Sequence, residues 1–284
     1  MACGALLLSG CGSAQVSGPA STTPIPSALI TSATPDPSPS STSSSTSPGA
    51  LGATASATAS PSPASALAGA VIGIDPGHNG RNHTRPDVIN RLIRNGRGDD
   101  TTHCNTTGTA TDGGYPEATF TFAVATELAA LLRARGAEVV MTRTSNDGVG
   151  PCVDARAETI NQAHADVAID LHADGGPASG RGFAILLPVG SGTNDAVVAP
   201  SRRYATLLRE ELLETGMPTS SYDGKDGLKE RTDLAGLNLT TVPQLLLEAG
   251  NMRNPTDAAL LTSKRFQHQL ARAILRAMER FLAR

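Results

Sequence analysis

Four residues of the chain have types and settings that suit hydrolytic chemistry: His78, Glu117, His172 and Glu248. Val71-Ile-Gly-Ile74 is strand-like, and Asp75-Pro76-Gly77 turns it sharply to deliver His78 just beyond. Asp166-Val-Ala-Ile-Asp-Leu-His172 is a second strand, and it ends on an imidazole. Val242-Pro-Gln-Leu-Leu-Leu-Glu248 is a buried strand that ends on a carboxylate, while Glu117 stands at a helix N-terminus. In open sheets of alternating strands and helices, ligands bind beyond the carboxyl ends of the strands, where three of these residues emerge. Two neutral imidazoles and one carboxylate, with a fourth position left to water, form the ligand set of many hydrolytic zinc sites. A further carboxylate is then free to act as general base. No pair stands at a short diagnostic interval such as His-Glu-x-x-His, so spacing leaves the division of labour between the carboxylates open. A histidine satisfied by loop hydrogen bonds is the plainer alternative for His78.

The neighbours of these four are less specific. Asp75 either orients His78 or simply makes the turn. The two-residue period of a strand puts Asp170 on the face of His172, and Gln244 and Leu246 on that of Glu248. His83 and His103 lie in a long loop, and His268 is a surface residue of the last helix. His164 falls near a helix C-terminus, where the dipole favours a surface imidazolium.

The elements that must position these groups alternate. From Asn79 to Gly114 the chain is rich in Gly, Asn, Thr and Asp without periodicity, which predicts an elaborated surface loop. Tyr115-Pro116-Glu117 opens a helix, with Pro in its first turn and an acidic side chain favoured by the dipole. Phe120, Val124, Leu128, Leu131 and Leu132 form its core stripe, and Gly136 ends it. Residues 138–142 predict a strand, 151–164 a helix, 182–187 a strand stopped by Pro188, and 197–214 a helix closed by Gly216. Met217 to Thr241 is polar and Gly-rich, which predicts a second surface excursion. Asn254-Pro255-Thr256-Asp257 starts a helix with a capping Asn. The chain closes on an amphipathic helix whose apolar side carries Phe266, Leu270, Ile274, Met278, Phe281 and Leu282. The expectation is a single α/β domain over residues 70–284, a mainly parallel twisted sheet flanked by helices.

Composition bounds the rest. The chain has 284 residues and a net charge of −3, with no basic run and few aromatics, which argues against a nucleic-acid partner. From Ser13 to Ala68 it is mostly Ser, Thr, Pro, Ala and Gly with Asp36 as its only charge, so residues 12–69 read as a disordered linker. As flexible coil such a linker has a reach of roughly 40 Å. Ala5-Leu-Leu-Leu8 is too short to span a membrane. It runs into Leu8-Ser9-Gly10-Cys11, which is similar to the lipobox of bacterial lipoproteins, although no Lys or Arg precedes it. Residues 1–11 are accordingly expected to be a lipoprotein-like signal segment, the alternative being a chance Gly-Cys in an apolar stub. With Cys3 removed and Cys11 lipidated, Cys104 and Cys152 remain; in an exported domain they most simply form one disulfide, the alternative being two buried thiols.

Ile74-Asp-Pro-Gly-His78, Glu117, Ala165-Asp166 leading to Asp170-Leu-His-Ala173, and Leu247-Glu-Ala-Gly-Asn251 with Asn254-Pro255 resemble the zinc-dependent N-acetylmuramoyl-L-alanine amidases. The resemblance spans Val71 to Leu282 in order and is closest to mycobacterial and other actinobacterial members, whose long loop with Cys104 and Cys152 is also similar. It implies His78, Glu117 and His172 as ligands of one Zn2+ and Glu248 as the catalytic carboxylate. Two departures stand out: Asp170, where a small residue is usual, and Ala249, where a bulkier one is common.

The resemblance further implies a peptidoglycan hydrolase that cuts the amide between N-acetylmuramic acid and L-alanine, and a monomer is expected. It would act on peptidoglycan or muropeptides in the extracytoplasmic envelope, and the lipobox-like segment adds the expectation of an anchor by lipid at Cys11 to the outer face of the cytoplasmic membrane. A zinc peptidase acting within the stem peptide would use the same site and differ in its products. A non-catalytic peptidoglycan-binding module would need a lost ligand or base, and all four residues are present.

Overall fold

The computed structural model describes residues 67–283. The lipobox-like segment at Cys11 and the linker as far as residue 66 lie outside the described residues. No helix among the described residues is long and apolar enough to cross a membrane.

The strands are β1 (Val71–Pro76), β2 (Leu92–Arg94), β3 (Thr101–His103), β4 (Glu138–Met141), β5 (Val167–Asp174), β6 (Ala184–Pro188), β7 (Leu228–Arg231) and β8 (Gln244–Asn251). The helices are α1 (Pro86–Ile89), α2 (Glu117–Ala134), α3 (Val153–Gln162) and α4 (Asp195–Leu213), followed by α5 (Ala235–Leu239), α6 (Pro255–Leu261) and α7 (Lys264–Leu282). Six strands form one sheet in the order β4-β1-β5-β8-β6-β7. β4, β1, β5 and β8 run parallel, β6 pairs antiparallel to β8, and β7 pairs parallel to β6. The sheet is thus mainly parallel, as the alternation of strands and helices predicts.

The central strands β5 and β8 are buried almost throughout, as expected of parallel strands covered on both faces. One face packs Ile72, Ile74, Ile169, Leu245 and Leu247 against α2, α4 and α7 in the main core. The other carries α3 and α5, over smaller clusters built on Ile160 with Ala168 and on Leu186 with Leu237 and Leu246. The predicted stripe of α2 is the one that packs, with Phe120, Val124, Leu128 and Leu132 fully covered, and Gly136 follows with φ 83°. Pro116 sits one position earlier than expected, as the capping residue. The Asn254 side chain accepts from the backbone N–H groups of Thr256 and Asp257, at 3.0 and 3.2 Å, the cap its type predicts.

Two stretches expected to be irregular contain structure. Residues 79–114 hold α1 and the β2–β3 hairpin, whose three-residue strands are too short to show a period. Residues 217–241 hold β7 and α5; β7 reads Leu-Lys-Glu-Arg because it lies at the sheet edge. The hairpin is pinned by Arg97, which donates to the carbonyls of Thr232, Gly190 and Val189. Cys104 and Cys152 are bonded, tying the hairpin's exit to the start of α3.

The described chain enters at the amino end of β1. Leu67 is fully buried, and Gly69 N donates to Gly136 O just before β1 begins.

Candidate active site

At the carboxyl end of β1 the chain turns through Gly77 into His78, which holds the left-handed conformation, φ 60°. That conformation is uncommon for a residue with a Cβ, and the surroundings hold it. Two buried arginines do so. Arg156, on α3, donates to Pro76 O at 2.8 Å and to His78 O at 2.5 Å, and pairs with Asp75 Oδ1 at 2.6 Å. Arg143 donates to Pro76 O and Gly77 O, and to Ala118 O in the first turn of α2. Burial, then the charge of Arg156, lowers the Arg143 pKa to about 10. The sequence leaves two roles open for Asp75; here it is the buried partner of Arg156 and accepts from Thr142 Oγ1 at 2.5 Å.

The His78 ring is held from the loop after β3. Its Nδ1 lies 3.2 Å from Thr106 O and 3.1 Å from Thr106 Oγ1. A proton on Nδ1, donated to that carbonyl, leaves Nε2 as the atom facing Glu117 Oε2 at 3.1 Å. Gly108 (φ 73°) lets this loop pass over the site, since a Cβ there would stand 2.8 Å from His78 Cδ2 and 2.9 Å from Glu117 Oε2.

Glu117 is the first residue of α2 and is buried. Thr109 N donates to Oε2 at 2.9 Å and Ala173 N to Oε1 at 3.1 Å, so both oxygens are oriented. Burial raises its pKa, but the charge of His78 and hydrogen bonds from His172 and His78 outweigh it and hold the carboxyl well below the usual range. His172 Nδ1 lies 2.9 Å from Glu117 Oε1. Burial lowers the His172 pKa, yet the facing carboxylates of Asp170 and Glu117 carry it well above the ordinary imidazole value. The two imidazoles meet edge to face with centroids 4.7 Å apart. One donor atom from each of His78, Glu117 and His172 lies within 4.8 Å of the other two.

Glu248 lies one strand over, opposite His172 in the β5–β8 register. Its Oε2 is buried without a hydrogen-bond partner among the described residues. Burial pushes its pKa up to about 8; the charge of His172 lowers it, while Glu117, Asp174 and Asp170 raise it further. Buried carboxylates need a cation or a donor. A donor set of two imidazoles and one carboxylate, beside a carboxylate with an orphaned oxygen, fits a divalent ion of the zinc type.

The four residues line one cleft of about 430 Å³, whose walls also include Thr102, His103, Asp174, Arg231 and Leu237. Tyr222 Oη donates to Asp174 Oδ2 at 2.8 Å at one edge. His103, expected to be an ordinary loop residue, is part of this wall. His268 is exposed and pairs with Glu127 at 2.6 Å, far from the cleft in the α2–α7 layer. Sequence reasoning does not single out Arg156 or Thr106. Nothing in an arginine on a short helix or a threonine in a polar loop marks them; their roles come from contacts 78 and 28 residues away.

The family profile described as N-acetylmuramoyl-L-alanine amidase matches residues 72–280. The chain is 43% identical over 217 residues to the N-acetylmuramoyl-L-alanine amidase Rv3717 of Mycobacterium tuberculosis, covering 76% of this chain and 88% of that protein. The crystal structure of the N-acetylmuramyl-L-alanine amidase Ami1 from Mycobacterium smegmatis superimposes with a TM-score of 0.72 at 41% identity, over 76% of this chain and 98% of that one. The apo form of Ami1 from Mycobacterium abscessus matches with the same TM-score at 40% identity, over 76% of this chain and all of its own.

Proposed function

We propose a zinc-dependent mechanism and a membrane-tethered setting for this chain, which belongs to the N-acetylmuramoyl-L-alanine amidase family and is a peptidoglycan hydrolase. The observation that carries the zinc reading is the convergence of His78, Glu117 and His172 donor atoms within 4.8 Å. These three would hold one Zn2+, with the ionised Glu117 between two imidazoles. Zinc, when bound, supplies a Lewis acid that polarises the amide carbonyl and acidifies water.

The chain's own residues supply the remaining parts. Glu248, fixed on the rigid strand β8, takes a proton from the attacking water at Oε2 and returns it to the leaving L-alanine nitrogen. Thr106 and Arg156 fix His78 through its ring and its backbone, and the backbone N–H groups of Thr109 and Ala173 fix Glu117. The stem peptide and the muramyl group would share the cleft beside Glu248. The chemistry places the enzyme in the extracytoplasmic wall. Residues 12–69 would act as a tether from lipid on Cys11 to a monomeric catalytic domain over 70–284.

The test is product identification on purified peptidoglycan with metal analysis of the protein. The expected result is one zinc per chain and release of intact stem peptides bearing free L-alanine amino termini. Fragments cut within the stem peptide would instead establish a peptidase, and full activity in the metal-stripped protein would remove zinc from the mechanism.

A further inference from the structure

Asp170 lies on β5, two residues before His172. It points to the same side as His172, and its residue surface is only 8% exposed. Its Oδ1 is 3.2 Å from His172 Nε2, within ion-pair reach, and is otherwise a buried oxygen with no hydrogen-bond partner among the described residues. Its register partner on β1, Asp75, is committed to Arg156 and Thr142. Among the described residues, the only cationic group within ion-pair reach of Asp170 is His172.

The imidazole of His172 is therefore bracketed. Nδ1 faces Glu117 Oε1 at 2.9 Å, and Nε2 faces Asp170 Oδ1 at 3.2 Å. Gly77 makes room for this pose: a Cβ there would fall 2.5 Å from His172 Nε2 and 2.7 Å from Leu171 O. A ring that offers one nitrogen to a metal commonly donates its other N–H to a carboxylate, which fixes tautomer and orientation and raises ligand basicity.

We propose that Asp170 is the positioning residue of His172: it accepts the Nε2 proton and so presents Nδ1, lone pair outward, beside Glu117. The proposal rests on the zinc reading above and adds to it a supporting carboxylate behind His172. His78 has a neutral counterpart in Thr106 O, so the two imidazoles are supported differently: one by a carbonyl, one by a carboxylate.

The test compares parent, Asp170→Ser and Asp170→Asn by zinc affinity, using competition against a chelator, and by the visible spectrum of the cobalt-substituted proteins. Ser is the small alternative; Asn keeps an acceptor oxygen without the charge. Asp170→Ser should bind zinc about 10- to 100-fold more weakly and shift the cobalt spectrum, the usual scale for loss of such a partner. Asp170→Asn should recover part of that loss. Parental affinity and an unchanged spectrum in Asp170→Ser, or equal losses in both variants, overturn the proposal. If Asp170→Ser fails to fold, Asp170→Asn decides: a shifted spectrum with weakened binding supports the role, and parental values overturn it. A parent protein that binds no zinc overturns the metal reading and the proposal with it, whereas tight parental binding unaffected by either variant overturns the role of Asp170 alone.

Discussion

His172 and Glu248 are register partners on the adjacent parallel strands β5 and β8. Two chemically different groups, an imidazole that would bind metal and a carboxylate that would move a proton, are thus set side by side by the sheet's own hydrogen bonding. Their spacing depends on strand pairing rather than on loops.

This arrangement predicts separable losses. Glu248→Gln keeps the volume and removes the base, so zinc content and thermal unfolding should stay near the parent. Turnover should fall by roughly 100-fold or more, the scale of a positioned acid–base group. His172→Ala should lose zinc and activity together. Metal analysis alongside muropeptide turnover checks both; zinc loss in Glu248→Gln would make that residue a ligand.

The raised pKa of Glu248 predicts how the metal-free protein responds to alkali. A carboxyl whose folded pKa, about 8, exceeds its ordinary value favours the native state while protonated. That contribution is complete below about pH 4.3 and is lost as the pH rises through about 8. His172, also raised, works in the same direction. Urea unfolding in the presence of chelator should show stability declining across this window. Glu248→Gln, neutral throughout, should decline less and exceed the parent at pH 9 by about 1 kcal/mol or more, since a tenfold change in proton affinity between folded and unfolded chain corresponds to about 1.4 kcal/mol.

Arg156 predicts a large structural effect from one surface-type residue. Arg156→Met would leave the Asp75 carboxylate buried without its cation, a loss of about 3–5 kcal/mol. Equilibrium unfolding should show it, and the double variant Asp75→Asn with Arg156→Met should recover part. A change under about 1 kcal/mol, the scale of an exposed pair, would mean the pair is not desolvated.

The disulfide closes a loop between cysteines 48 residues apart, worth about 4 kcal/mol on the chain-entropy account. A fragment of residues 67–283, denatured without reductant, should show no reactive thiols. Reduction should lower its unfolding midpoint.

Cys11 lies outside the described residues, and its lipidation is tested in cells. Cys11→Ala should move the protein from the detergent phase to the soluble fraction, and an unchanged partition would argue against the anchor.

Much of this site is legible in the sequence because strand ends advertise themselves. A β-branched or Leu-rich run that stops on His78, His172 or Glu248 carries both the element and its exposed end. Asp170 is legible as a neighbour of His172 by the two-residue period, but not as its partner, because that requires the rotation of the ring. Arg156 and Thr106 are invisible for a similar reason: their meaning lies in where α3 and the hairpin's exit arrive. β7 and β2–β3 escape notice because edge strands and three-residue strands bury too little to leave a hydrophobic period.

The entry of the chain beside Gly136 and the cleft beyond Pro76 stand at opposite ends of β1. Tension between a tether at the first and a wall polymer gripped at the second would therefore run along that strand. β1 is bonded on both sides, to β4 and to β5, in parallel register. Such a load strains those hydrogen bonds together, in shear, instead of peeling them apart one at a time.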